Sequence, residues 1–458
     1  MQLSDAARMI GARATGDAAL TGVSTDSRSV ARGELFVALR GERFDGHAFL
    51  ADAAARGAAA ALVDSAFAAS GAALPLPVLV AADTRRALGQ LARAWRKRFS
   101  PTLIAIAGSN GKTTTKEMLA SILRAARGEA QVLATAGNLN NDIGLPLTLL
   151  RLREAHTVCA IELGMNHKGE TGYLAQIACP GIALVTNAQR EHLEFMHSVE
   201  EVAAENASVY AALPEDGTAV VNADDPHAEL FRAMAGSRRV IEFALDRHAQ
   251  VGGRCRLMAL SSEIRIATPA GSAEATLVIP GVHNVRNAIG AAACAHAAGV
   301  EPAAIAAGLN AFRPYSGRLQ VKRAARGATL IDDSYNANPD SVHAAIDVLT
   351  LAGGRTVLVL GEMGEVGEQG ADFHSEIGRY AKERGVDALY ALGELTAHSV
   401  AGFGPGARHF ASAETLHAAL EDCSGPGHTL LVKGSRFMRM ERVVAALAGC
   451  GELAGEHC

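Results

Sequence analysis

The sequence predicts an α/β protein of three domains, and three observations support this. The chain has 458 residues, more than one compact domain holds, and 49% of them are hydrophobic, enough for several cores. Apolar runs alternate with helical patterns, which is typical of parallel sheets covered by helices. One run, at 103–107, leads through a glycine loop into a helix. We therefore expect a small N-terminal α/β domain (1–97), a central P-loop-type parallel-sheet domain (98–314) and a C-terminal Rossmann-like α/β domain (315–458).

The first domain is predicted from few signals. Residues 35–39 form a short apolar run that predicts a strand, and residues 41–46 form a polar turn. A helical pattern covers 85–99 and stops at Pro101, which marks the first boundary.

The second and third domains repeat the strand–helix alternation. The strands predicted in the second are 103–107, 158–163, 182–186 and 219–221. After a linker at 312–315, the third has predicted strands at 329–332, 356–360, 388–392 and 430–432, and helices at 340–351, 374–384 and 439–448. Ligands of such sheets bind at the carboxyl ends of the strands, where Gly108, Glu162 and Asn187 all fall.

The glycine loop predicts a nucleoside triphosphate site. It reads Gly108-Ser109-Asn110-Gly111-Lys112-Thr113-Thr114. Backbone N–H groups of such a loop point at phosphate oxygens, Lys112 can reach the outer phosphates, and the Thr113 hydroxyl can bind Mg²⁺. The alternative is a strand-to-helix turn that only needs glycine, but it does not explain Lys followed by Thr. The loop is shorter than usual, because Ile106 occupies the place of the first glycine.

Two side chains beyond the loop are candidate metal ligands. Glu162 ends a predicted strand beside the loop, where a carboxylate can hold Mg²⁺; an exposed strand end is the alternative. His192 follows the next predicted strand, although a lone histidine is more often structural. Asn284 and Asn287 lie one turn apart at a predicted helix start. Spacing favours Asn284 as a helix N-cap, and both amides could also reach a base or ribose.

A dense polar segment covers 331–341, between a strand and a helix. A cap at Asp340 or Ser341 would explain those two residues, but not Asp333, Tyr335 or the asparagines at 336 and 338. Residues 432–436 also leave a strand and supply a cation, a glycine and a hydroxyl.

Composition excludes several classes of protein. The net charge of −5 gives no reason to expect a nucleic-acid partner. We see no signal peptide and no apolar run of transmembrane length. The 7 cysteines are scattered and form no CxxC pair, so we expect inert thiols, no zinc site and a cytoplasmic protein without membrane insertion.

The loop resembles that of the Mur ligase family, the ATP-dependent amide-forming enzymes of peptidoglycan synthesis; folylpolyglutamate synthases share the loop style. Further motifs match in order along nearly the whole chain: 25–28, 33–39, 45–47, 137–141, 144–148, 317–320, 333–339, 361–364 and 432–436. The resemblance implies a UDP-substrate domain, an ATP-binding domain and a mobile ligase domain. Within the family, these motifs favour the member that joins D-alanyl-D-alanine to UDP-N-acetylmuramoyl-tripeptide, and the arginine motif that selects diaminopimelate is absent.

The resemblance also implies the roles of individual residues. For ATP it implies Gly108, Ser109, Asn110, Gly111, Lys112, Thr113, Thr114, Asn284, Arg318 and Asp333. For Mg²⁺ it implies Thr113, Glu162 and His192, and for catalysis Lys112, Glu162 and His192. For the substrates it implies Ser27 and Arg28 at the uridine end, with Asn138, Tyr335, Asn336, Asn338 and Lys433 elsewhere.

One position departs from the family pattern. Many Mur ligases have a carbamoylated lysine downstream of the metal histidine, and Asn206 stands at the matching place. A second Mg²⁺ would lose an anionic ligand there, or take one from Glu205 or Glu194.

The implied reaction is an ADP-forming acid–amino-acid ligation in cell-wall biogenesis, and so in cell shape and division, by a protein we expect to be a monomer. ATP converts a carboxylate to an acyl phosphate, which the dipeptide amine attacks. The rival interpretations are a ligase that adds glutamate to folate or diaminopimelate to a muramyl dipeptide, and a nucleotide switch without ligase chemistry.

Overall fold

The computed structural model describes residues 1–72 and 74–448 and contains three sheets in sequence. The first has five strands in the order β1-β5-β4-β3-β2, parallel except for β1. Its strands are β1 (Arg13–Ala14), β2 (Gly22–Ser24), β3 (Glu34–Val37), β4 (Ala60–Asp64) and β5 (Val78–Ala81), and its helices are α1 (Leu3–Ile10), α2 (Leu50–Ala55), α3 (Ser65–Ala69) and α4 (Thr84–Arg96).

The second sheet has nine strands in the order β14-β13-β12-β11-β10-β9-β6-β8-β7. They are β6 (Thr102–Ala107), β7 (Val132–Ala134), β8 (Val158–Glu162), β9 (Ile182–Val185), β10 (Thr218–Asn222), β11 (Arg239–Ala244), β12 (Val251–Leu257), β13 (Ser262–Thr268) and β14 (Gly271–Leu277). The helices are α5 (Lys112–Arg127), α6 (Gly144–Leu149), α7 (Glu170–Ala178), α8 (Leu193–Met196), α9 (Val199–Ala211), α10 (Ala228–Ala235), α11 (Val282–Ala297) and α12 (Pro302–Ala311). Strand β6 lies between β8 and β9, and the chain continues to opposite sides of β6 through these two strands. The glycine loop after β6 therefore lies at the crevice where the strand order reverses.

The parallel central sheet has an antiparallel ribbon at one edge, which the sequence patterns did not indicate. Strands β6 to β12 are parallel, whereas β13 pairs antiparallel with both β12 and β14. Buried and exposed residues alternate along β13, so this ribbon covers the core with one face only.

The third sheet has six strands in the order β15-β16-β20-β17-β18-β19, and only β15 is antiparallel. The strands are β15 (Gln320–Arg323), β16 (Thr329–Asp333), β17 (Arg355–Gly361), β18 (Ala388–Leu392), β19 (Ala407–Phe410) and β20 (His428–Lys433). The helices are α13 (Pro339–Ala352), α14 (Gly370–Glu383), α15 (Thr396–Phe403), α16 (Ala413–Leu420) and α17 (Glu441–Ala448). Single 3₁₀ turns lie at Gly46–Phe49, Glu129–Gln131, Gly367–Gln369, Glu421–Cys423 and Arg436–Met438.

The three-domain α/β architecture is thus confirmed, and the sheets fall on either side of the predicted limits at 97 and 314, which stay a prediction. The apolar cores continue across both limits. One cluster joins Leu88 and Leu91 of α4 to Leu145 and Leu174 of the central domain. Another joins the central domain to the C-terminal one, so the third domain is docked onto the second.

Two compositional expectations meet the structure. In the part of the chain that the structure describes, the cysteines are free: Cys159, Cys179, Cys255, Cys294 and Cys423. Cys450 and Cys458 lie outside the described residues. Among the described helices, none has the length and apolar character needed to cross a membrane.

Candidate functional site

The glycine loop connects β6 to α5 and requires its two glycines. Gly108 has φ of 125° and Gly111 has φ of 83°, both in the left-handed region. A Cβ on Gly108 would lie 2.1 Å from the Thr186 hydroxyl, and one on Gly111 would lie 2.3 Å from the Asn287 side chain. The loop is therefore held against its neighbours with no room for a side chain.

Side chains and backbone of the next strand's loop fix the conformation. The Asn110 N–H donates to the Asn187 side chain at 2.9 Å, and the Ser109 N–H donates to the Asn187 carbonyl at 3.0 Å. The first-turn N–H groups of α5, from Lys112 to Thr114, have no intrahelical acceptors by helix geometry. They are available to an anion at the positive end of this helix.

Lys112 folds back over the loop. Its ammonium donates to the Gly108 and Ser109 carbonyls at 2.5 and 2.8 Å, and lies 3.3 Å from the Glu191 carboxylate. Burial opposes the charge on Glu191, but Lys112 and His192 outweigh it and lower the pKa of that carboxyl. The site thus holds a cation at the loop in a preformed position.

Thr113 and Glu162 form the best candidate for a cation site. The Thr113 hydroxyl donates to Glu162 Oε1 at 3.1 Å, and the Asn140 amide donates to the same oxygen at 2.7 Å. Glu162 Oε2 is buried without a hydrogen-bond partner. A buried, unsatisfied carboxylate oxygen beside a hydroxyl is the donor set that Mg²⁺ prefers.

His192 borders the same cavity but is engaged elsewhere. Its Nδ1 bonds to Glu365 of the C-terminal domain, and its Nε2 lies 3.5 Å from Glu191. Burial disfavours its charged form, yet the two carboxylates raise its pKa to about 9. Among the described residues, no three His, Cys, Asp or Glu side chains converge as a metal cluster.

One cavity, of about 460 Å³, lies on one side of the loop, between the central and C-terminal domains. We call it the nucleotide cavity. The predicted nucleotide residues Asn284, Arg318 and Asp333 line it, together with Lys433 and Asp224. The central domain contributes one wall, which includes α11, and the C-terminal domain contributes the other.

A larger cavity, of about 950 Å³, lies on the other side, and we call it the reaction cavity. All three domains contribute to it. The predicted residues that line it are Ser109, Asn110, Gly111, Lys112, Thr113, Thr114, Asn138, Glu162, His192, Arg318, Tyr335, Asn336 and Asn338. The N-terminal domain supplies Arg85 of α4, which donates to Asp142 at 2.6 Å. The loop therefore separates two cavities and touches both.

Lys433 ends β20, and its role in substrate binding stays a prediction. It lines the nucleotide cavity rather than the reaction cavity, and its ammonium bonds to Asp333 at 2.5 Å and to the Asn336 carbonyl at 3.0 Å. Burial raises the pKa of Asp333 and lowers that of Lys433, so desolvation outweighs their mutual attraction. The pair fixes the polar segment against β20.

The polar segment also contacts the loop directly. Asn338 and Asn110 exchange two side-chain amide bonds, at 2.9 and 3.2 Å. Asn338 is also the N-cap of α13, accepting from the Ser341 N–H at 2.8 Å. The N-cap thus lies two residues before Asp340 and three before Ser341, and Ser341 contributes to the cap by accepting from the Asn338 N–H at 3.0 Å.

The capping interpretation of Asn284 is wrong as well. Helix α11 begins at Val282 with Gly281 as N-cap, so Asn284 lies inside the first turn. Its amide donates to the Pro280 carbonyl at 2.7 Å and accepts from Asn287 at 3.2 Å. Both asparagines line the nucleotide cavity.

Ser27 and Arg28 are not brought to either cavity. They lie in the loop after β2, where the exposed Arg28 guanidinium bonds to Asp26 at 2.8 Å. These hydrogen bonds lower the pKa of Asp26 to about 2.

Asn206 and Glu205 have structural partners. Asn206 Oδ1 accepts from the Gly108 N–H at 2.9 Å, while its Nδ2 is buried without a partner. Glu205 accepts from the Gly169 and Thr171 N–H groups, both at 2.8 Å. Because it caps α7, Glu205 is committed and is a poor replacement for a missing metal ligand.

Several residues of the site had no sequence-based prediction: Arg85, Asn140, Gln189, Arg190, Glu191 and Glu365. Glu191 and Glu365 are 174 positions apart and meet only through His192. Their dense polar neighbourhood at 187–194 was visible in the sequence, but spacing gave no partner for it.

Sequence comparison matches consecutive parts of the chain to three Mur ligase domains. Residues 19–96 match the domain described as Mur ligase family, catalytic domain; 106–295 match the Mur ligase middle domain; and 317–436 match the Mur ligase, glutamate ligase domain. A UDP-N-acetylmuramoyl-tripeptide–D-alanyl-D-alanine ligase of Escherichia coli is 39% identical over 435 residues, 94% of each chain. The chain belongs to the Mur ligase family.

Further Mur ligases agree over similar lengths. The Haemophilus influenzae enzyme of the same name is 37% identical and covers 93% of both chains. A crystal structure of MurF from Acinetobacter baumannii superposes with a TM-score of 0.89 at 34% identity, over 97% of this chain and 98% of that one. A MurF ligase from Thermotoga maritima in complex with ADP shares the fold, with a TM-score of 0.81.

Proposed function

We propose that this Mur ligase joins D-alanyl-D-alanine to UDP-N-acetylmuramoyl-tripeptide, with ATP converted to ADP and phosphate. The observation that carries the proposal is the reaction cavity: the phosphate loop, the Glu162 carboxylate and the polar segment of the third domain border one space. Relatives named UDP-N-acetylmuramoyl-tripeptide–D-alanyl-D-alanine ligase, matched over more than nine tenths of both chains, support the choice of substrates.

The chemistry explains why two substrates and a nucleotide must meet. A carboxylate does not react with an amine at neutral pH, because its carbon is a poor electrophile and its oxygens are poor leaving groups. Transfer of the γ-phosphoryl group gives an acyl phosphate, and attack by the amine gives a tetrahedral intermediate that expels phosphate. The protein's contribution is to position these groups and to stabilise developing charge.

Each side of the loop has its part in this proposal. The N–H groups of α5 and the Lys112 ammonium hold the phosphates, and Lys112 neutralises charge on the transferring group. The nucleoside occupies the nucleotide cavity beside Asn284, Arg318 and Asp333. The tripeptide carboxylate and the dipeptide occupy the reaction cavity, where docking of the third domain excludes water.

Magnesium fits the Thr113–Glu162 pair. When bound, the ion supplies charge neutralisation to the phosphate oxygens. Glu162 Oε2 is the oxygen left free for it, and Thr113 and Asn140 hold the other carboxylate oxygen in place. His192 would have to give up Glu365 or Glu191 to act as a further ligand.

The N-terminal domain is proposed to bind the UDP end through Ser27 and Arg28. We also propose that the enzyme works as a monomer in the cytoplasm, where its nucleotide-linked substrates would be available.

Product analysis tests the function. Purified protein is incubated with ATP, Mg²⁺, UDP-muramyl-tripeptide and D-alanyl-D-alanine, and the products are identified by mass spectrometry. We expect a pentapeptide product, with phosphate release that needs both the acceptor and the amine. Parallel reactions with folate plus glutamate, and with the muramyl dipeptide plus diaminopimelate, separate the related ligases. Phosphate release without any acceptor would favour a nucleotide switch instead.

A further inference from the structure

Four consecutive residues after β9 connect the phosphate loop with the C-terminal domain. Gln189 accepts from the Asn110 amide at 2.7 Å, and Glu191 pairs with Lys112. The alternate residues, Arg190 and His192, contact the C-terminal domain instead of the loop. The segment therefore touches the reacting end of the site and the docked domain in alternation.

Arg190 makes the densest of these contacts. Its Nε and Nη2 donate to Asp340 Oδ1 at 3.0 and 2.7 Å, and its backbone N–H donates to Asp340 Oδ2 at 2.8 Å. Its Nη1 and Nη2 also donate to the two Glu376 oxygens at 3.0 and 3.1 Å. The guanidinium lies 5.3 Å from the centre of the Phe373 ring. One side chain thus binds two carboxylates on two different helices of the third domain.

The burial of this cluster makes it stronger than a surface ion pair. The side chains of Arg190, Asp340 and Glu376 are 24%, 23% and 33% exposed. Partly buried, charge-assisted and bidentate contacts of this kind are stronger than exposed ion pairs, which contribute little to stability. Burial opposes the charge of Arg190, but both carboxylates more than compensate and raise its pKa.

Both ends of the cluster also reach the same residue of the phosphate loop. Asn110 donates through one amide to Gln189, next to Arg190, and to Asn338, two residues before Asp340. Docking of the third domain is therefore linked geometrically to the loop's conformation. His192 and Glu365, which bond to each other nearby, both have left-handed backbone conformations, with φ of 53° and 58°. Such conformations are uncommon for residues other than glycine and are maintained by the surrounding structure.

We propose that Arg190 is a positioning residue for the ligation: its guanidinium latches the C-terminal domain onto the phosphate loop through Asp340 and Glu376. The latch rests on the proposed function, since the docked arrangement is the one in which the reaction cavity is complete. Arg190 and Asp340 also line the nucleotide cavity, whereas Glu376 does not. A substitution of Glu376 therefore tests the latch without removing a residue that could contact the nucleotide.

The test compares Arg190→Ala, Asp340→Asn and Glu376→Ala with the full-length wild-type enzyme. The control is Arg384→Ala, which removes an arginine–carboxylate pair at 2.8 Å to Asp347 within the third domain, next to the same two helices. Steady-state kinetics give kcat and the KM of each substrate. Small-angle X-ray scattering with UDP-muramyl-tripeptide and a non-hydrolysable ATP analogue gives the radius of gyration.

We expect all three latch variants to lose kcat by roughly tenfold or more, because truncating one partner of a partly buried charge pair is costly. We expect the radius of gyration with ligands to exceed that of the wild type, and Arg384→Ala to match the wild type in both. Arg190→Lys keeps the charge but loses the fork, so it should restore only part of the rate.

Two results would overturn the latch. One is wild-type kcat and scattering in Arg190→Ala. The other is a rate loss confined to Arg190→Ala, with a raised KM for ATP and no change in Glu376→Ala, which would mean direct nucleotide contact. Failure of the proposed function is recognised separately: the wild type would make no pentapeptide product, and the scattering comparison would then decide the latch alone.

Discussion

At the scale of single residues, Lys112 has the clearest task. It is the only cation of the glycine loop itself, and its ammonium is held by two loop carbonyls and by Glu191. In phosphoryl transfer, charge accumulates on the oxygens that such a cation faces.

We predict that Lys112→Ala lowers kcat by roughly a thousandfold, within the range for removal of one preorganised charge from a transferring phosphoryl group. Phosphate release measures the rate, and circular dichroism with thermal denaturation checks the fold. Near-normal turnover by a folded variant would contradict the assignment of this loop to ATP.

Asn206 has a structural role in supporting the glycine loop. Its side-chain oxygen accepts from the Gly108 N–H, so a neutral amide supports the loop at the position where the family resemblance implies a carbamoylated lysine. An amide brings no net charge to a nearby cation.

We predict that activity does not depend on bicarbonate. Turnover is measured in carbonate-free buffer before and after addition of bicarbonate, and the two rates should agree. Asn206→Lys should either create a response to bicarbonate or disrupt the loop. A wild-type enzyme that loses activity in carbonate-free buffer and regains it with bicarbonate would refute the prediction.

The loop, Thr113 and Glu162 could be predicted because local order determines them: a strand, a glycine turn and a helix start fall within a few residues. The partners could not. Asn110 meets Asn338 across 228 positions, and His192 meets Glu365 across 173. Such pairs depend on how two domains dock, which no spacing in one sequence encodes.

At the scale of elements, helix α5 is held from behind by α12. A Cβ on Gly308 would lie 2.3 Å from the Ile122 Cα and 2.6 Å from its backbone nitrogen. The Gly308 carbonyl also accepts from the Ser121 hydroxyl at 2.7 Å. The two helices touch backbone to backbone, which fixes the axis that carries Lys112.

We predict that Gly308→Ala destabilises the protein by about 1–3 kcal/mol, because a rigid backbone cannot yield to the added methyl group. Gly172→Ala is the matched control: it is also helical, and its nearest contact would be an ordinary 3.5 Å from the Ser208 hydroxyl. The control should be neutral or stabilising by up to about 1 kcal/mol. Urea denaturation measures both, and equal effects would argue against the close helix contact.

The strands show where sequence patterns suffice. The strand predicted at 388–392, a buried apolar run, matches β18. The buried parallel strand β4 was not predicted. The β12–β14 ribbon was missed because it is solvated on one face. Arg254 and Arg265 face each other there in register, so charged residues interrupt the apolar run.

At the scale of the whole molecule, we expect recognition of the two nucleotide-bearing substrates to be divided between domains. Ser27 and Arg28 lie outside both cavities, at the carboxyl edge of the first sheet. The phosphate loop follows a strand of a different sheet, and among the described residues of the first domain only Arg85 lines the reaction cavity.

We predict that a double substitution, Ser27→Ala with Arg28→Ala, raises the KM for UDP-muramyl-tripeptide by roughly tenfold and leaves the KM for ATP nearly unchanged. The reason is the loss of a charged donor to the anionic end of one substrate only. Initial-rate kinetics with each substrate varied in turn give both constants. An increase confined to ATP would exclude a UDP role for this loop.

The nucleotide cavity has walls from two domains, and we expect this to limit how quickly spent nucleotide can escape. Asn284 stands on one wall, and Arg318 and Lys433 stand on the other. We therefore expect ADP to leave after the walls separate. Separation is a diffusive movement of a whole domain through solvent, unlike bond making in a dry site. We expect kcat to fall as glycerol or sucrose thickens the medium. It should fall less in Arg190→Ala, because there the slowed chemical step, and not separation of the walls, limits kcat. A kcat indifferent to viscosity would instead assign the slow step to bond making.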